Sequence, residues 1–70
     1  MNDPIPRISP DLDRATVLQL RTIGVAYVST HWSRYWNEWE HRIIVTTARG
    51  HQHTLIKNDQ GIAALLERAR

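Results

Sequence analysis

Two amphipathic segments, one near each end of the chain, enclose three segments rich in β-forming residues. The first spans residues 10–23, with Ser9 as its cap, Pro10 at its first position and Gly24 at its left-handed end. The second follows the capping pair Asn58-Asp59. Their stripes recur at helical spacing and consist of Leu12, Ala15, Thr16, Leu20 and Ile23, and of Ile62, Ala63, Leu65, Leu66 and Ala69. We predict a helix near each end.

Three strands are predicted between these helices. Residues 25–30 and 42–48 are rich in β-branched and aromatic residues, and residues 51–56 follow a turn at Arg49-Gly50. The resulting order, helix-strand-strand-strand-helix, predicts a small α+β fold. In this αβββα domain, a three-stranded antiparallel sheet has two helices packed on one face and leaves the other face uncovered.

The pairing of the last two strands depends on the length of the turn at Arg49-Gly50. A two-residue Arg49-Gly50 loop pairs Ala48 with His51, whereas a three-residue loop that ends in His51 pairs Ala48 with Gln52. A slip of one residue moves every side chain to the opposite face of the sheet, so the register stays open at this point.

The length of the chain limits how it can be organised. Pro4, Pro6 and Pro10 prevent a helix at the start, so we expect an extended arm over residues 1–9 and a single domain over residues 10–70. A chain this short buries only about 60% of its unfolded surface. It has no cysteine, which excludes disulfides and thiolate metal sites. We therefore expect self-association, such as a homodimer, to supplement the core.

The charge pattern does not select a partner. Nine basic and seven acidic residues are spread along the chain, giving a net charge of +2. No segment has the roughly 18–20 apolar residues of a membrane-spanning helix, and residues 1–4 have no feature of a signal peptide. We expect a cytoplasmic protein without a membrane role.

The most unusual segment is residues 31–41, which contains all three tryptophans and one of the two tyrosines. A short helix capped by Ser33 would align the three tryptophans. A strand with a hairpin would instead divide the side chains between two sides, Trp32, Arg34 and Trp36 on one and Tyr35 and Trp39 on the other. Both conformations stay open.

The rings of this segment either fill the end of the core or form a contact surface. Each ring buries about 150–250 Å², and so small an interior cannot hold all four. Exposed Trp, Tyr and Arg are enriched at the energetic centres of protein interfaces. The predicted partner-binding residues are Trp32, Arg34, Tyr35, Trp36 and Trp39, with Arg42, His51 and His53 as secondary candidates.

Histidines are the other candidates for chemistry. His51 and His53 lie two apart on a predicted strand and would face the same way, a spacing that can bind zinc or nickel when a third ligand converges. No acidic residue adjoins them, so we favour a solvated strand edge and predict no metal and no cofactor. The sequence has no phosphate loop, nucleophile elbow or HExxH motif, so we expect no enzymatic activity.

Nucleic-acid binding is the second functional hypothesis. The element order is similar to that of double-stranded-RNA-binding domains, which carry a lysine cluster at the start of the last helix. This chain has Asn58-Asp59-Gln60 there, and an acidic residue repels phosphate. Rings beside Arg34 and Arg42 can instead stack on single-stranded bases, but Glu38 and Glu40 lie in the same segment.

Protein binding is the first hypothesis. We expect a non-enzymatic adaptor or inhibitor that docks on a larger protein through the aromatic segment and the uncovered sheet face. Small proteins of this kind are often encoded by phages or mobile elements, and we expect this chain to belong among them.

Overall fold

The computed structural model describes residues 11–69 as two helices and three strands. The elements are α1 (Arg14–Thr22), β1 (Val25–Ser33), β2 (Glu38–Thr46), β3 (Gln52–Asn58) and α2 (Asp59–Arg68). The strands form one antiparallel sheet in the order β1-β2-β3, which confirms the predicted fold class and element order. The predicted arm over residues 1–9 and the residues Ser9, Pro10 and Arg70 lie outside the described part.

Both helices pack on the same face of the sheet. Leu20 of α1 and Ile62 of α2 are buried together with Val25 of β1 and Ile43 of β2. Ile43 pairs across the sheet with Tyr27 on one side and Leu55 on the other, and cross-strand partners share a face. Neither helix of the described chain is long and apolar enough to cross a membrane.

The other face of the sheet is uncovered within the described chain, as predicted. Val28 and Ile56 are 48% and 43% exposed there, and the partly buried Ile44 lies on the same face. The register places Arg42 between Ser29 and Ile56. This face therefore combines scattered apolar side chains with the central cation Arg42, and it carries Glu38 and Glu40 toward the start of β2.

Helix α1 begins later than the predicted range 10–23. Asp13 has an extended backbone, and its Oδ1 accepts a hydrogen bond from the Thr16 N–H at 3.2 Å, so the helix begins at Arg14. A carboxylate here also interacts favourably with the positive end of the helix dipole. The predicted left-handed end is confirmed, because Gly24 has a φ of 80°.

The Asp13 cap predicts that the stability of α1 falls at low pH. Hydrogen bonds from Thr16, first from its side chain and then from its backbone, lower the pKa of Asp13. A carboxyl with a lower pKa in the folded chain stabilises the fold above its unfolded pKa, and this contribution is lost as the pH falls through the lowered value. We expect a carbon-detected NMR titration of Asp13 to give a midpoint below that of an unfolded peptide. Asp13→Ser, which caps without titrating, is the control, and an unshifted midpoint would contradict the prediction.

The hairpin between β2 and β3 has neither of the two predicted registers. Thr46 pairs with Gln52, and the Gly50 N–H donates to the Thr47 carbonyl at 2.9 Å. The loop thus runs from Ala48 to Gly50, and its left-handed position, with a φ of 84°, falls on Gly50. Both predicted pairings of Ala48 are wrong because glycine takes the last place in the loop.

Candidate partner-binding site

The aromatic segment over residues 31–41 folds as strand, turn and strand, so the helical alternative is wrong. Strand β1 continues to Ser33, a four-residue turn spans residues 34–37, and β2 follows. The Ser33 Oγ accepts the Trp36 N–H at 3.2 Å, and Asn37 has a φ of 57°. Asparagine adopts this left-handed conformation more readily than most residues. Ser33 therefore closes a turn instead of capping a helix.

The four rings form two pairs. Trp32 and Trp39 are cross-strand neighbours whose ring centroids lie 5.3 Å apart at an interplanar angle of 75°. Tyr35 and Trp36 in the turn lie 4.7 Å apart at 88°. Both are edge-to-face arrangements, which stabilise aromatic pairs. The alternation that separated Trp32 from Trp39 is wrong, because the turn places the two strands side by side and cross-strand partners share a face.

Exposure differs sharply between the two pairs. Tyr35 is 84% and Trp36 64% exposed, whereas Trp32 and Trp39 are partly buried. Arg34 is also exposed in the turn. We call Trp32, Arg34, Tyr35, Trp36 and Trp39 the aromatic end of the protein. The structure thus brings the five predicted partner-binding residues together on one hairpin and leaves two large rings in solvent.

The secondary candidates lie elsewhere. Arg42 is exposed on the uncovered face of the sheet, and His51 and His53 lie at or beside the β2–β3 hairpin. His51 precedes β3, which begins at Gln52, so the expectation that both histidines share one strand is wrong. Both rings are exposed. Across the described residues, no three His, Cys, Asp or Glu side chains converge as a metal site would require.

Carboxylates adjoin the aromatic end. Glu38 follows the turn, and its Oε2 accepts a hydrogen bond from Asn58 Nδ2 at 3.0 Å. Asp59 begins α2, and its side chain is 78% exposed. A cleft of about 250 Å³ separates the hairpin from the start of this helix, and its lining residues are Glu38, Trp39, Asn58, Asp59 and Gln60.

A chain of hydrogen bonds crosses the interior beside this cleft. His41, which is fully buried, contacts Asp59 Oδ1 through Nε2 at 2.6 Å and Thr30 Oγ1 through Nδ1 at 2.7 Å. The Thr30 hydroxyl contacts that of Tyr27, which lies 3.1 Å from Asp11 Oδ1. A hydroxyl, an imidazole and a carboxylate in series are also found in nucleophilic enzymes. Here the imidazole has no solvent exposure, and the hydrogen bonds join the sheet to the segment before α1 and to the start of α2.

Comparisons with known proteins do not indicate a function. No family model, no curated protein and no solved structure matches the chain. The described residues offer the aromatic end, the carboxylates of Glu38 and Asp59 beside it, and the uncovered face of the sheet as contact surfaces.

The hydrogen-bond chain was missed in the sequence, although a signal for it exists. Once the turn is placed at residues 34–37, Thr30 and His41 become direct cross-strand partners. A polar pair on the helix-covered face requires mutual hydrogen bonds, since buried polar groups without partners are costly. Asp59 could not be foreseen, because its approach to His41 depends on where α2 begins.

Proposed function

We propose that this protein is a non-enzymatic protein-binding module that docks on a larger protein through its aromatic end. The observation that carries the proposal is the exposure of Tyr35 and Trp36, two large rings at the tip of a hairpin. Transfer of apolar surface out of water contributes about 25 cal/mol per Å². A partner that covers both rings therefore gains affinity from a small contact area.

The rings of the aromatic end already contact one another in the chain without a partner. Trp36 packs edge-on against Tyr35, and the Ser33 hydroxyl holds its backbone N–H. Behind them, the Trp32–Trp39 pair joins the two strands. Side chains that are already positioned lose less conformational entropy on binding, which favours tight association.

The proposed role is that of an accessory, adaptor or inhibitory protein of the kind that phages and mobile elements encode. A homodimer is compatible with it, since the uncovered sheet face exposes Val28 and Ile56 to a second copy. Nucleic-acid binding is the weaker alternative. The same rings can stack on bases, but Glu38, Glu40 and Asp59 lie close to them and repel phosphates.

Alanine variants of the exposed rings test the proposal. Trp36→Ala and Tyr35→Ala are expected to fold normally, because neither ring contributes to the buried core. Binding to a partner captured from host lysate with nuclease present is expected to fall by about 30-fold for Trp36→Ala, the effect of a residue at the energetic centre of an interface.

Leu18→Ala is the matched control for these variants. Leu18 is an exposed large hydrophobic residue of α1, at 48% exposure, and lies on a different element. Its replacement should leave both melting temperature and partner affinity unchanged. Undiminished binding by both ring variants would refute the proposed docking site, and loss of capture after nuclease treatment would favour nucleic acid.

A further inference from the structure

We propose that the segment bound at the aromatic end is positively charged, and that one of its lysine or arginine side chains enters the cleft beside Trp39. This inference rests on the proposed protein-binding function and names the chemistry of the partner. It is carried by the charge around the aromatic end, by the free oxygen atoms in the cleft, and by the aromatic wall that faces them.

Three carboxylates of the described residues adjoin Trp39 of the aromatic end. Glu38 and Glu40 are its neighbours in β2, Asp59 lines the same cleft, and Glu67 lies near the end of α2. Asp59 also lines a cavity with Asp11 and Asp13, near the starts of the two helices. Arg34 in the turn carries the opposite charge, so it is the carboxylates at the cleft that attract a cation and oppose phosphate.

The cleft presents carboxylate oxygens that are held in place. Asn58 Nδ2 contacts Glu38 Oε2 at 3.0 Å, and His41 Nε2 contacts Asp59 Oδ1 at 2.6 Å. The second oxygens, Glu38 Oε1 and Asp59 Oδ2, accept no hydrogen bond from any described residue. No lysine or arginine of the described chain lies within 4.0 Å of these two carboxylates. The cleft thus has fixed acceptors and no cation of its own.

The shape and lining of the cleft suit a single cationic side chain. Its volume of about 250 Å³ is below the range of about 300–1,000 Å³ that is usual for small-molecule sites. Trp39 forms one wall, and an indole face attracts ammonium and guanidinium groups. Tyr35 and Trp36 lie in the adjoining turn and are exposed. The residues that flank the basic residue in the partner should therefore be apolar. A basic residue flanked by apolar residues in a protein segment meets both demands.

Labelled peptides of matched length test the charge of the partner. We would measure fluorescence anisotropy with peptides of three Gly-Arg-Leu, Gly-Gln-Leu or Gly-Glu-Leu repeats, and with an oligothymidylate. The wild-type protein is expected to bind the arginine peptide at least about tenfold more tightly than the glutamine peptide, and this preference should shrink as salt rises to 0.5 M. Absent or equal binding of the arginine peptide would overturn the inference.

Variants that replace a cleft carboxylate with the neutral amide of the same shape test where the cation of the partner binds. Glu38→Gln and Asp59→Asn keep an oxygen that accepts from Asn58 or His41 but remove the charge, and each is expected to weaken the arginine peptide about tenfold. Glu67→Gln makes the same change at the far end of α2 and should have no effect. An equal loss in Glu67→Gln, or no loss in either cleft variant, would overturn the inference. Melting temperatures verify that each variant is folded.

Trp36→Ala separates failure of this inference from failure of the proposed function. If Trp36→Ala abolishes binding of the captured protein while the cleft variants and salt do not matter, the protein-binding function stands and the cationic segment is wrong. If neither Trp36→Ala nor Tyr35→Ala weakens any binding, the proposed function itself is wrong. Binding of the oligothymidylate that requires Trp36 would overturn both.

Discussion

Replacing Ile43 with alanine is expected to leave much of the protein unfolded at 25 °C. Ile43 lies in the central strand and is fully buried beneath both helices. Truncation of a buried isoleucine costs about 2–5 kcal/mol, and a core of this size rarely supplies more than about 3–5 kcal/mol. Urea titration followed by circular dichroism measures the loss directly.

Ile56→Ala is the matched control for this experiment. Ile56 lies in the neighbouring strand on the uncovered face and is 43% exposed, so the same truncation is expected to cost less than about 1 kcal/mol. A loss as large as that of Ile43→Ala would contradict the assignment of the core to the helix-covered face. It would indicate that a second copy covers the other face.

Replacing Thr30 with valine is expected to destabilise the protein by about 1–3 kcal/mol, although the two side chains have nearly the same shape. The hydroxyl of Thr30 is the partner of His41 Nδ1, and His41 has no contact with solvent. Valine would therefore leave a buried ring nitrogen without a hydrogen bond. Thermal and urea unfolding measure the change.

Two controls separate this loss from general effects of substitution. Thr30→Ser keeps the hydroxyl and should retain most of the stability. Ser29→Ala removes a hydroxyl from the adjacent residue on the opposite face, where it makes no side-chain hydrogen bond within the described chain, and should be nearly neutral. Equal stability of Thr30→Val and the wild type would show that His41 does not depend on Thr30.

The fold could be predicted because its signals are local. The φ of 80° that Gly24 supplies and the Asn58 cap are each determined by a few neighbouring residues, and both occur in the structure. The apolar stripes occur in part: Leu20 and Ile62 are buried, whereas Leu12 precedes α1 and the predicted stripe alanines are exposed, namely Ala15, Ala63 and Ala69. The start of α1 was misplaced because Ser9 and Asp13 both suit a cap and sequence patterns do not rank them. The β2–β3 register failed for a similar reason, because a shift of one residue in the loop changes every pair.

The aromatic end was predicted in composition but not in arrangement. Periodicity over eleven residues could not distinguish a strand from a helix, because a turn in the middle interrupts both patterns. Asn37, a residue tolerant of left-handed backbone, was the available sign of that turn. The cleft required knowledge of where α2 meets the hairpin, and no local pattern contains that distance.

The hydrogen bonds that run from Asp59 through the core to Asp11 also have a donor-to-acceptor direction. A carboxylate only accepts, so the Asp59 contact requires a proton on His41 Nε2. Tyr27 and Thr30 each have a single hydroxyl proton to donate, so the direction of one bond in the series fixes the direction of the next. The contact between the sheet and the segment before α1 is therefore coupled, through the side chains of Tyr27, Thr30 and His41, to the first residue of α2.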